Sequence, residues 1–265
     1  MNFKYLISSG CSFSDNCFGG RWPHFFANSV NAELYNRGQG SCGNDWISKT
    51  AIYEAIGLIS AGYDPNQFII IVMWSGIDRK GIFVSKKETH DYDNLINNDH
   101  PNPVRFYGEP PNEYCKSNIE DGYLVGSMGC NFQNKNITQM KQELIGKFYN
   151  DEALAIESYE HFLRLQWFCK SYGIKLINLT YMDIMHYPNR ELNMLTKDYY
   201  HNIKHLYDMI DFDNWIFWKD TMGLFEYARD NNLSFYEDKV HPRPEAHKYY
   251  VENFLIPELS RRNIL

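Results

Sequence analysis

Apolar and polar positions in residues 1–75 follow the order expected of a parallel α/β fold. Phe3 to Ser9 predicts a short buried strand, and Ala32 to Tyr35 predicts a second one. Phe68 to Trp74 is an unbroken apolar run, which is typical of a central parallel strand covered on both faces. Helices are predicted at Trp22 to Val30 and at Asp45 to Ser60, the second from apolar residues at helical spacing.

Two long segments interrupt this alternation. Residues 78–150 are rich in Pro, Asn, Gly and Tyr and show no lasting period, and residues 182–232 form a second irregular stretch. Stretches of this length are unlike simple connecting loops, so we interpret them as insertions. We therefore expect residues 1–265 to form a single domain with insertions at about 78–150 and 182–232.

The regular pattern returns between and after these insertions. Glu152 to Tyr172 predicts a long helix that ends at Gly173, and Ile174 to Leu179 predicts a fourth strand. Leu233 to Tyr236 predicts a last short strand, and Pro244 to Leu259 predicts a closing helix with proline in its first turn. The expected fold class is α/β, a flavodoxin-like three-layer α/β/α arrangement with a mostly parallel five-stranded sheet and two large insertions.

The composition is that of an ordinary globular protein, with 44% hydrophobic and 22% charged residues. A net charge of −7 and the absence of any basic run disfavour binding to nucleic acid. No apolar run is long enough to span a membrane, and the N-terminus lacks the apolar stretch of a signal peptide. We therefore expect no membrane partner and a cytoplasmic or virion-associated location. The six cysteines lack metal-type pairing, so neither a zinc site nor a disulfide framework is indicated.

A serine, Ser12, follows the first predicted strand and lies just after Gly10. The ligand crevice of an open α/β sheet lies at the carboxyl ends of its strands, so a hydroxyl at this point is well placed for chemistry. An isolated Gly-x-Ser is, however, more often a turn or a helix cap than a nucleophile. Cys11 is a rival nucleophile, but we expect it to point to the opposite side of the strand exit.

Asp238 and His241 lie between the last predicted strand and the last helix. A serine nucleophile needs a base, and the base needs an acceptor that fixes its tautomer. Spacing alone is weak support, and position decides: only this pair follows a core strand and precedes a helix that packs back on the sheet. The same spacing recurs in the second insertion, where surface histidines are the simpler interpretation, at Asp183/His186 and Asp198/His201.

A glycine-rich loop, Asn36 to Asn44, follows the second predicted strand. Acyl transfer places negative charge on the former carbonyl oxygen, so hydrogen-bond donors must already point at that position. A glycine-rich loop that runs into a helix offers backbone amides as donors, and Asn44 offers a side-chain amide. A loop of this kind also binds phosphate or simply turns the chain.

These segments together resemble the SGNH hydrolases, also called GDSL esterases or lipases. The family's nucleophile loop is Gly-Asp-Ser-Leu-like, and Gly10 to Phe13 matches it with Cys11 in place of the Asp. The Gly40 loop is similar to the second motif, and Asp238 with His241 matches the Asp-x-x-His motif near the C-terminus. The resemblance covers the core segments at both ends of the chain and neither insertion.

One motif departs from the family pattern. The family supplies an oxyanion-hole Asn from Gly-x-Asn-Asp after the third strand, whereas Trp74 to Arg79 contains no Asn. The resemblance implies an esterase or deacetylase with Ser12 as nucleophile, His241 as base and Asp238 as its orienting acid, and with no metal or organic cofactor. Either Asn44 takes over the role of the missing donor, or the oxyanion hole relies on the amides of Ser12 and of Gly40 or Ser41, or activity is reduced.

The expected substrate is a small-molecule or glycan ester. Both insertions are rich in Tyr, Trp, Asn and Asp, which suits stacking on sugar rings and bonding to their hydroxyls, so O-acetylated carbohydrate is our first expectation. Residue usage is also similar to that of marine phage or bacterial members of the family. The main alternative is a non-catalytic structural or glycan-binding protein, such as a phage virion component, whose insertions contact other subunits or a second copy. A nucleotide binder that uses the Gly38 to Gly43 loop lacks both a P-loop and a dinucleotide fingerprint.

Overall fold

The computed structural model describes residues 3–15, 20–40, 42–77, 79–84, 106–107, 122–127, 151–184 and 203–265. The strands in these ranges are β1 (Tyr5–Gly10), β2 (Glu33–Asn36), β3 (Phe68–Trp74), β4 (Arg79–Val84), β5 (Phe106–Tyr107), β6 (Gly122–Ser127) and β7 (Lys175–Thr180). The main helices are α1 (Trp22–Val30), α2 (Asn44–Ser60), α3 (Asp151–Tyr172), α4 (Leu224–Asp230), α5 (Pro244–Tyr250) and α6 (Ile256–Arg261).

A four-stranded sheet forms the core, in the order β2-β1-β3-β7, and every neighbouring pair is parallel. Helix α2 packs on β1 and β3 and against α3, while α1 packs on β2 and against α5, so helices cover both faces of the sheet. All of β3 is buried, as its apolar run predicts. Because Gly10 pairs with Met73, and Trp74 with Thr180, the carboxyl ends of β1, β3 and β7 lie side by side.

The predicted fifth strand, Leu233 to Tyr236, is not part of this sheet, and that prediction is wrong. Within this segment only Phe235 forms a bridge, antiparallel to Pro242. The outer edge of β7 is instead contacted by residues of the second predicted insertion: Trp215 forms a parallel bridge with Asn178, and the next N–H, of Ile216, donates to the Asn178 carbonyl at 2.9 Å. In the described residues the parallel sheet therefore ends at four strands.

A second, antiparallel sheet in the order β4-β6-β5 lies within the first predicted insertion. Its first strand begins at Arg79, shortly after β3 ends. The carbonyl of Arg79 lies so close to Gly43 that a Cβ on that glycine would be 2.2 Å from it. The sequence indicated only irregular structure here, because β4 to β6 lack the strict alternation that identifies a half-buried strand.

The closing helix predicted at Pro244 to Leu259 is divided. Helix α5 is followed by a π-helical turn at Val251–Leu255 and then by α6. Pro257 has no N–H to donate to the carbonyl four residues earlier, so the change of helical pitch next to it has a direct cause. Nowhere in the part of the chain that the structure describes is a helix both long and apolar enough to cross a bilayer.

Aromatic side chains from the second predicted insertion complete the core at the edge of β7. Trp215 is 2% exposed and stacks on Trp74 with ring centroids 6.4 Å apart, and Phe162 of α3 contacts it at 5.1 Å. The Trp74 indole N–H donates to the side-chain oxygen of Asn178 at 2.9 Å. Phe217 stacks on the outer side of Trp215 at 5.5 Å. These two insertion rings therefore stabilise the fold.

We predict that Trp215→Ala lowers the free energy of unfolding by about 3–5 kcal/mol, because it leaves a large cavity beside Trp74. Trp167→Ala is the matched control, since Trp167 lies on α3 but is 51% exposed, and its loss is expected to cost less than about 0.5 kcal/mol. Urea unfolding of both variants measures the difference. Equal destabilisation by the two changes would contradict this account of the core.

Candidate active site

Ser12 lies in a tight turn directly after β1. The N–H of Ser14 donates to the carbonyl of Cys11 at 2.8 Å, which closes the turn. The turn folds back against the end of its own strand, so that a Cβ on Gly10 would lie 2.3 Å from the Ser14 hydroxyl oxygen. Glycine is therefore required at position 10 for Ser12 to leave the sheet edge in this direction. The Ser12 side chain is mostly buried, with 8% of the residue exposed.

Ser14 joins this turn to the neighbouring elements through hydrogen bonds. Its hydroxyl accepts a hydrogen bond from the Trp22 indole N–H at 2.9 Å, and its carbonyl accepts one from the Asn36 side chain at 2.7 Å. The Asn36 side-chain oxygen in turn accepts from the Ser8 hydroxyl and from the Gly38 N–H, at 2.8 and 2.9 Å. The ends of β1 and β2 and the start of α1 are thus joined through one buried residue.

His241 lies in the loop between α4 and α5, and Asp238 organises that loop. One carboxylate oxygen of Asp238 accepts hydrogen bonds from the backbone N–H groups of Val240 and His241, both at 2.9 Å. Lys239, which lies between Asp238 and Val240, adopts a left-handed conformation with φ of 56°. The Tyr236 N–H donates to the His241 carbonyl at 2.9 Å. A spacing of three residues is therefore enough to hold the Asp238 carboxylate beside the His241 ring.

Ser12, His241 and Asp238 form one continuous hydrogen-bonded series. The His241 Nδ1–H donates to the second oxygen of Asp238 at 2.6 Å, which leaves Nε2 as an acceptor. The Ser12 hydroxyl lies 2.7 Å from that Nε2 and donates to it. Residues 229 positions apart in the chain are thereby brought into hydrogen-bond contact. In this order the imidazole can accept the proton of the hydroxyl, while the carboxylate orients the ring and stabilises the imidazolium that forms.

The charge state of Asp238 suits its position. Partial burial raises the pKa of this carboxyl, but the hydrogen bonds from the backbone of His241 and Val240 and from the His241 ring outweigh that effect and lower the pKa below its ordinary value. Asp238 is therefore ionised at neutral pH. An ionised carboxylate stabilises an imidazolium that forms on the neighbouring ring.

The glycine-rich loop runs beside the serine turn. The Arg37 N–H donates to the Ser8 carbonyl and the Gln39 N–H to the Gly10 carbonyl, both at 2.8 Å, so the loop continues the pairing of β2 with β1. A Cβ on Gly38 would lie 2.4 Å from the Ser14 carbonyl oxygen, so this approach also requires glycine. The sequence-based expectation that this loop lies next to Ser12 agrees with these distances.

The four predicted oxyanion donors have different surroundings. The Gly40 N–H donates to the buried Asp15 carboxylate at 2.7 Å, and both hydrogens of the Asn44 amide are used, toward the Ser75 carbonyl and the Ser158 hydroxyl at 3.1 and 3.2 Å. Asn44 therefore joins α2 to the end of β3 and to α3 instead of pointing at Ser12, which differs from its predicted role. Ser41 lies outside the described residues.

The backbone N–H of Ser12 is the remaining predicted donor. Within the described part of the chain it makes no hydrogen bond. Such an N–H is available to an oxygen that approaches the serine. Of the predicted set, this donor alone combines a described position with an unused hydrogen.

Three residues around the site were missed by the sequence-based reasoning. Phe13 packs its ring against His241 at 5.3 Å, and the Arg21 guanidinium donates to the Pro242 carbonyl at 2.8 Å and to His247 Nε2 at 2.9 Å. Burial, followed by the nearby charge of Arg21, holds the pKa of His247 well below its ordinary value, so this imidazole is neutral. No local pattern in the sequence distinguishes a buried arginine or histidine from a surface one.

Of the other candidate groups, Asp183 and Cys11 lie within the described residues. The Asp183 carboxylate accepts a hydrogen bond from the Thr221 hydroxyl at 2.9 Å, and its predicted partner His186, like the pair Asp198 and His201, lies outside the described residues. Cys11 is fully buried in the core. Over the described ranges, no group of three or more His, Cys, Asp or Glu side chains is arranged to hold a metal ion.

The comparisons with known proteins add no relative. No model of a known protein family matches this chain, and no curated protein matches it at a significant level. The geometry around Ser12 is therefore the basis for any functional inference.

We predict that the free energy of unfolding falls as the pH drops below about 6.5, the ordinary pKa of histidine. The unfolded chain binds a proton at His247 in this range and the folded chain does not, so acid favours unfolding by up to about 1.4 kcal/mol per pH unit for this residue. Urea unfolding between about pH 7 and about pH 5 measures the slope.

His247→Gln is the control, because glutamine can still accept from Arg21 but does not titrate. The free energy of unfolding should depend less steeply on pH in this variant than in the wild type. Part of the dependence remains, because burial also lowers the pKa of His24. An unchanged slope in this variant would show that His247 is protonated in the folded protein.

Proposed function

We propose that this protein is a serine esterase or deacetylase that hydrolyses an ester through an acyl-enzyme on Ser12. The observation that carries the proposal is the series Ser12 hydroxyl, His241 imidazole and Asp238 carboxylate, with contacts of 2.7 and 2.6 Å. If Ser12 only stabilised the fold, its mostly buried hydroxyl would not need to donate to His241, nor would His241 need to be oriented by Asp238. This arrangement is the one that activates a serine.

The reaction follows from this series. His241 Nε2 takes the proton of Ser12 as Oγ attacks the ester carbonyl carbon, and Asp238 stabilises the imidazolium. When the tetrahedral intermediate collapses, the bond to the alcohol oxygen breaks and the imidazolium returns the proton to that oxygen. Water then attacks the acyl group, with His241 again as base, and releases the carboxylic acid while the Ser12 hydroxyl is restored.

We further propose that the core belongs to the flavodoxin-like three-layer class and that the chain is of the SGNH type. In support, the serine turn follows β1, the glycine-rich loop follows β2, and the Asp-His loop precedes α5, which is the chain order of that family's motifs. The parallel sheet with helices on both faces is compatible with this assignment. The missing Asn after β3 is the main departure from the family pattern.

Stabilisation of the oxyanion is the weakest part of the proposed site. The Ser12 N–H is an available donor, but the Gly40 N–H reaches a substrate only if it gives up its hydrogen bond to Asp15. The loss of one oxyanion donor typically costs about 2.7–4 kcal/mol of transition-state stabilisation. We therefore expect hydrolysis that is slow relative to enzymes with a complete set of donors.

The same observation favours a second candidate function. A carboxylate held against Gly40, beside Ser12, opposes the negative charge of a tetrahedral intermediate. A non-catalytic structural or glycan-binding protein on this fold, with the insertions as contact surfaces in a virion or an oligomer, has no need for that charge to be stabilised. Covalent labelling of Ser12 by a fluorophosphonate separates the two, since only an activated serine reacts.

O-acetylated carbohydrate remains our proposed substrate class, on the composition of the two insertions. Trp215 and Phe217 no longer support it, since Trp215 is buried in the core and Phe217 is partly buried and packs against it. Acetate release from acetylated glycans, compared with release from short-chain lipid esters, tests the substrate class without depending on the identity of the catalytic residues.

We predict that Ser12→Ala abolishes both fluorophosphonate labelling and hydrolysis of p-nitrophenyl acetate, because the nucleophile is removed. Asp238→Asn should lower kcat by about a thousandfold or more, because the His241 tautomer is no longer fixed. Ser29→Ala, which removes an exposed hydroxyl on α1, is the matched control and should keep full activity. Undiminished labelling of Ser12→Ala would overturn the assignment.

We predict that Asn44→Ala acts on stability more than on catalysis. The change leaves the buried Ser75 backbone without its partners, so the free energy of unfolding should fall by about 1–3 kcal/mol. For the folded fraction, kcat should stay within about twofold of the wild type, because this amide does not donate to the oxyanion. A loss of a hundredfold or more in kcat, as expected for an oxyanion donor, would restore Asn44 to that role.

A further inference from the structure

The start of α1 contacts both halves of the candidate site through two consecutive residues. Trp22, the first residue of α1, donates its indole N–H to the Ser14 hydroxyl of the serine turn at 2.9 Å. Arg21, which precedes it, donates from its guanidinium to the carbonyl of Pro242, the residue after His241, at 2.8 Å. One rigid dipeptide therefore lies between the turn that carries the hydroxyl and the loop that carries the imidazole.

Arg21 is a buried cation, with 1% of the residue exposed. The same nitrogen, Nη1, lies 2.8 Å from the Pro242 oxygen and 2.9 Å from His247 Nε2. Burial of a guanidinium is costly unless its hydrogens are bonded, and these two acceptors come from the His241 loop and from α5 that follows it. The contact thus fixes the loop at its C-terminal side.

Arg21 also contacts the N-terminal side of that loop. Its guanidinium lies over the ring of Tyr236 at 5.8 Å, and Arg243 covers the same ring at 5.1 Å. The Tyr236 N–H donates to the His241 carbonyl, so the two ends of the loop are joined next to the point where Arg21 binds. The loop is therefore held at both ends, while Asp238 shapes its interior.

We propose that Arg21 is a positioning residue, which holds His241 Nε2 at hydrogen-bonding distance from the Ser12 hydroxyl through the Pro242 carbonyl. This inference rests on the proposed esterase function for its kinetic consequence, but the position of the imidazole itself does not depend on turnover. Because Arg21 is 1% exposed, we assign it no direct contact with a substrate. Its effect is geometric, because a displacement of about 1 Å in a catalytic group costs on the order of a hundredfold in rate.

The geometry distinguishes this role from general stabilisation. Asp238 can orient the His241 ring within the loop, but it cannot set the distance from the loop to β1, because it lies in the same loop. The contact between His241 and Phe13 is apolar and permits sliding. Arg21 makes a directional, charge-assisted hydrogen bond to the loop. It immediately precedes α1, which is itself bonded to the serine turn through Trp22.

The test compares Arg21→Met and Arg21→Lys with Arg262→Met. Arg262 is the matched control, since its Nη1, like that of Arg21, donates to two acceptors, here the backbone carbonyls of Asp213 and Trp215, but it lies away from the site. Arg21→Met should lower kcat for p-nitrophenyl acetate by more than about tenfold, with KM within about twofold. Arg21→Lys, which keeps one donor and the charge, should recover part of kcat, and Arg262→Met should lower the melting temperature without a comparable loss of kcat in the folded protein.

A readout without turnover separates this inference from the proposed function. The NMR signals of the His241 ring, assigned by comparison with Ser12→Ala, should show the Ser12 hydrogen bond in the wild type and in Arg262→Met, and its weakening in Arg21→Met. If the wild type shows neither esterase activity nor labelling, the proposed function fails, and these signals still decide the role of Arg21. Wild-type His241 signals and kcat in folded Arg21→Met would overturn the inference. If Arg21→Met does not fold, Arg21→Lys is the test: a partial loss of kcat with weakened His241 signals supports the inference, and wild-type signals and kcat overturn it.

Discussion

The position of Ser12 depends on a close backbone approach that only glycine permits. Side chains at Gly10 and Gly38 would lie 2.3 and 2.4 Å from atoms of Ser14, so neither position can carry a Cβ without moving the serine turn. This constraint lets the end of β1, the loop after β2 and the start of α1 meet at one residue. The Ser12 hydroxyl is thereby fixed by packing, before any contact with His241 is made.

The second half of the site is built by a different kind of interaction. The loop from Tyr236 to Pro242 is organised locally by Asp238, which accepts two backbone N–H groups and one ring N–H. A loop of this kind can keep its internal shape wherever it lies. Its location relative to β1 needs a contact from outside, and Arg21, buried between α1 and α5, supplies it. Local order and long-range placement are thus separate tasks, carried out by different residues.

The sequence was sufficient where a local pattern determines the outcome. Helix α1 and strand β3 have the predicted bounds, because proline and an apolar run define them, and the Asp238 to His241 spacing is itself a short-range motif. It failed where distant segments compete: Leu233 to Tyr236 has strand-like residues, but Trp215 already contacts the edge of β7. The partners of Asn44 and the burial of Arg21 also depend on segments far away in the chain, which no spacing rule indicates.

The proposed ester hydrolysis has two separate requirements, proton transfer and anion stabilisation, and the site around Ser12 would meet them unequally. The hydrogen bonds from Ser12 to His241 and from His241 to Asp238 are short, which suits proton transfer. The Gly40 N–H, which oxyanion stabilisation would need, already donates to the Asp15 carboxylate. The hydrogen bond between the Asp15 carboxylate and the Gly40 N–H stabilises the protein without substrate. Breaking this bond so that the N–H can bind a substrate oxygen would add to the activation barrier of acylation. Nucleophile activation without full oxyanion stabilisation still permits acylation, because each contributes its own part of the rate. In the proposed esterase, the strength of the hydrogen bond between the Gly40 N–H and the Asp15 carboxylate would therefore limit the rate of acylation.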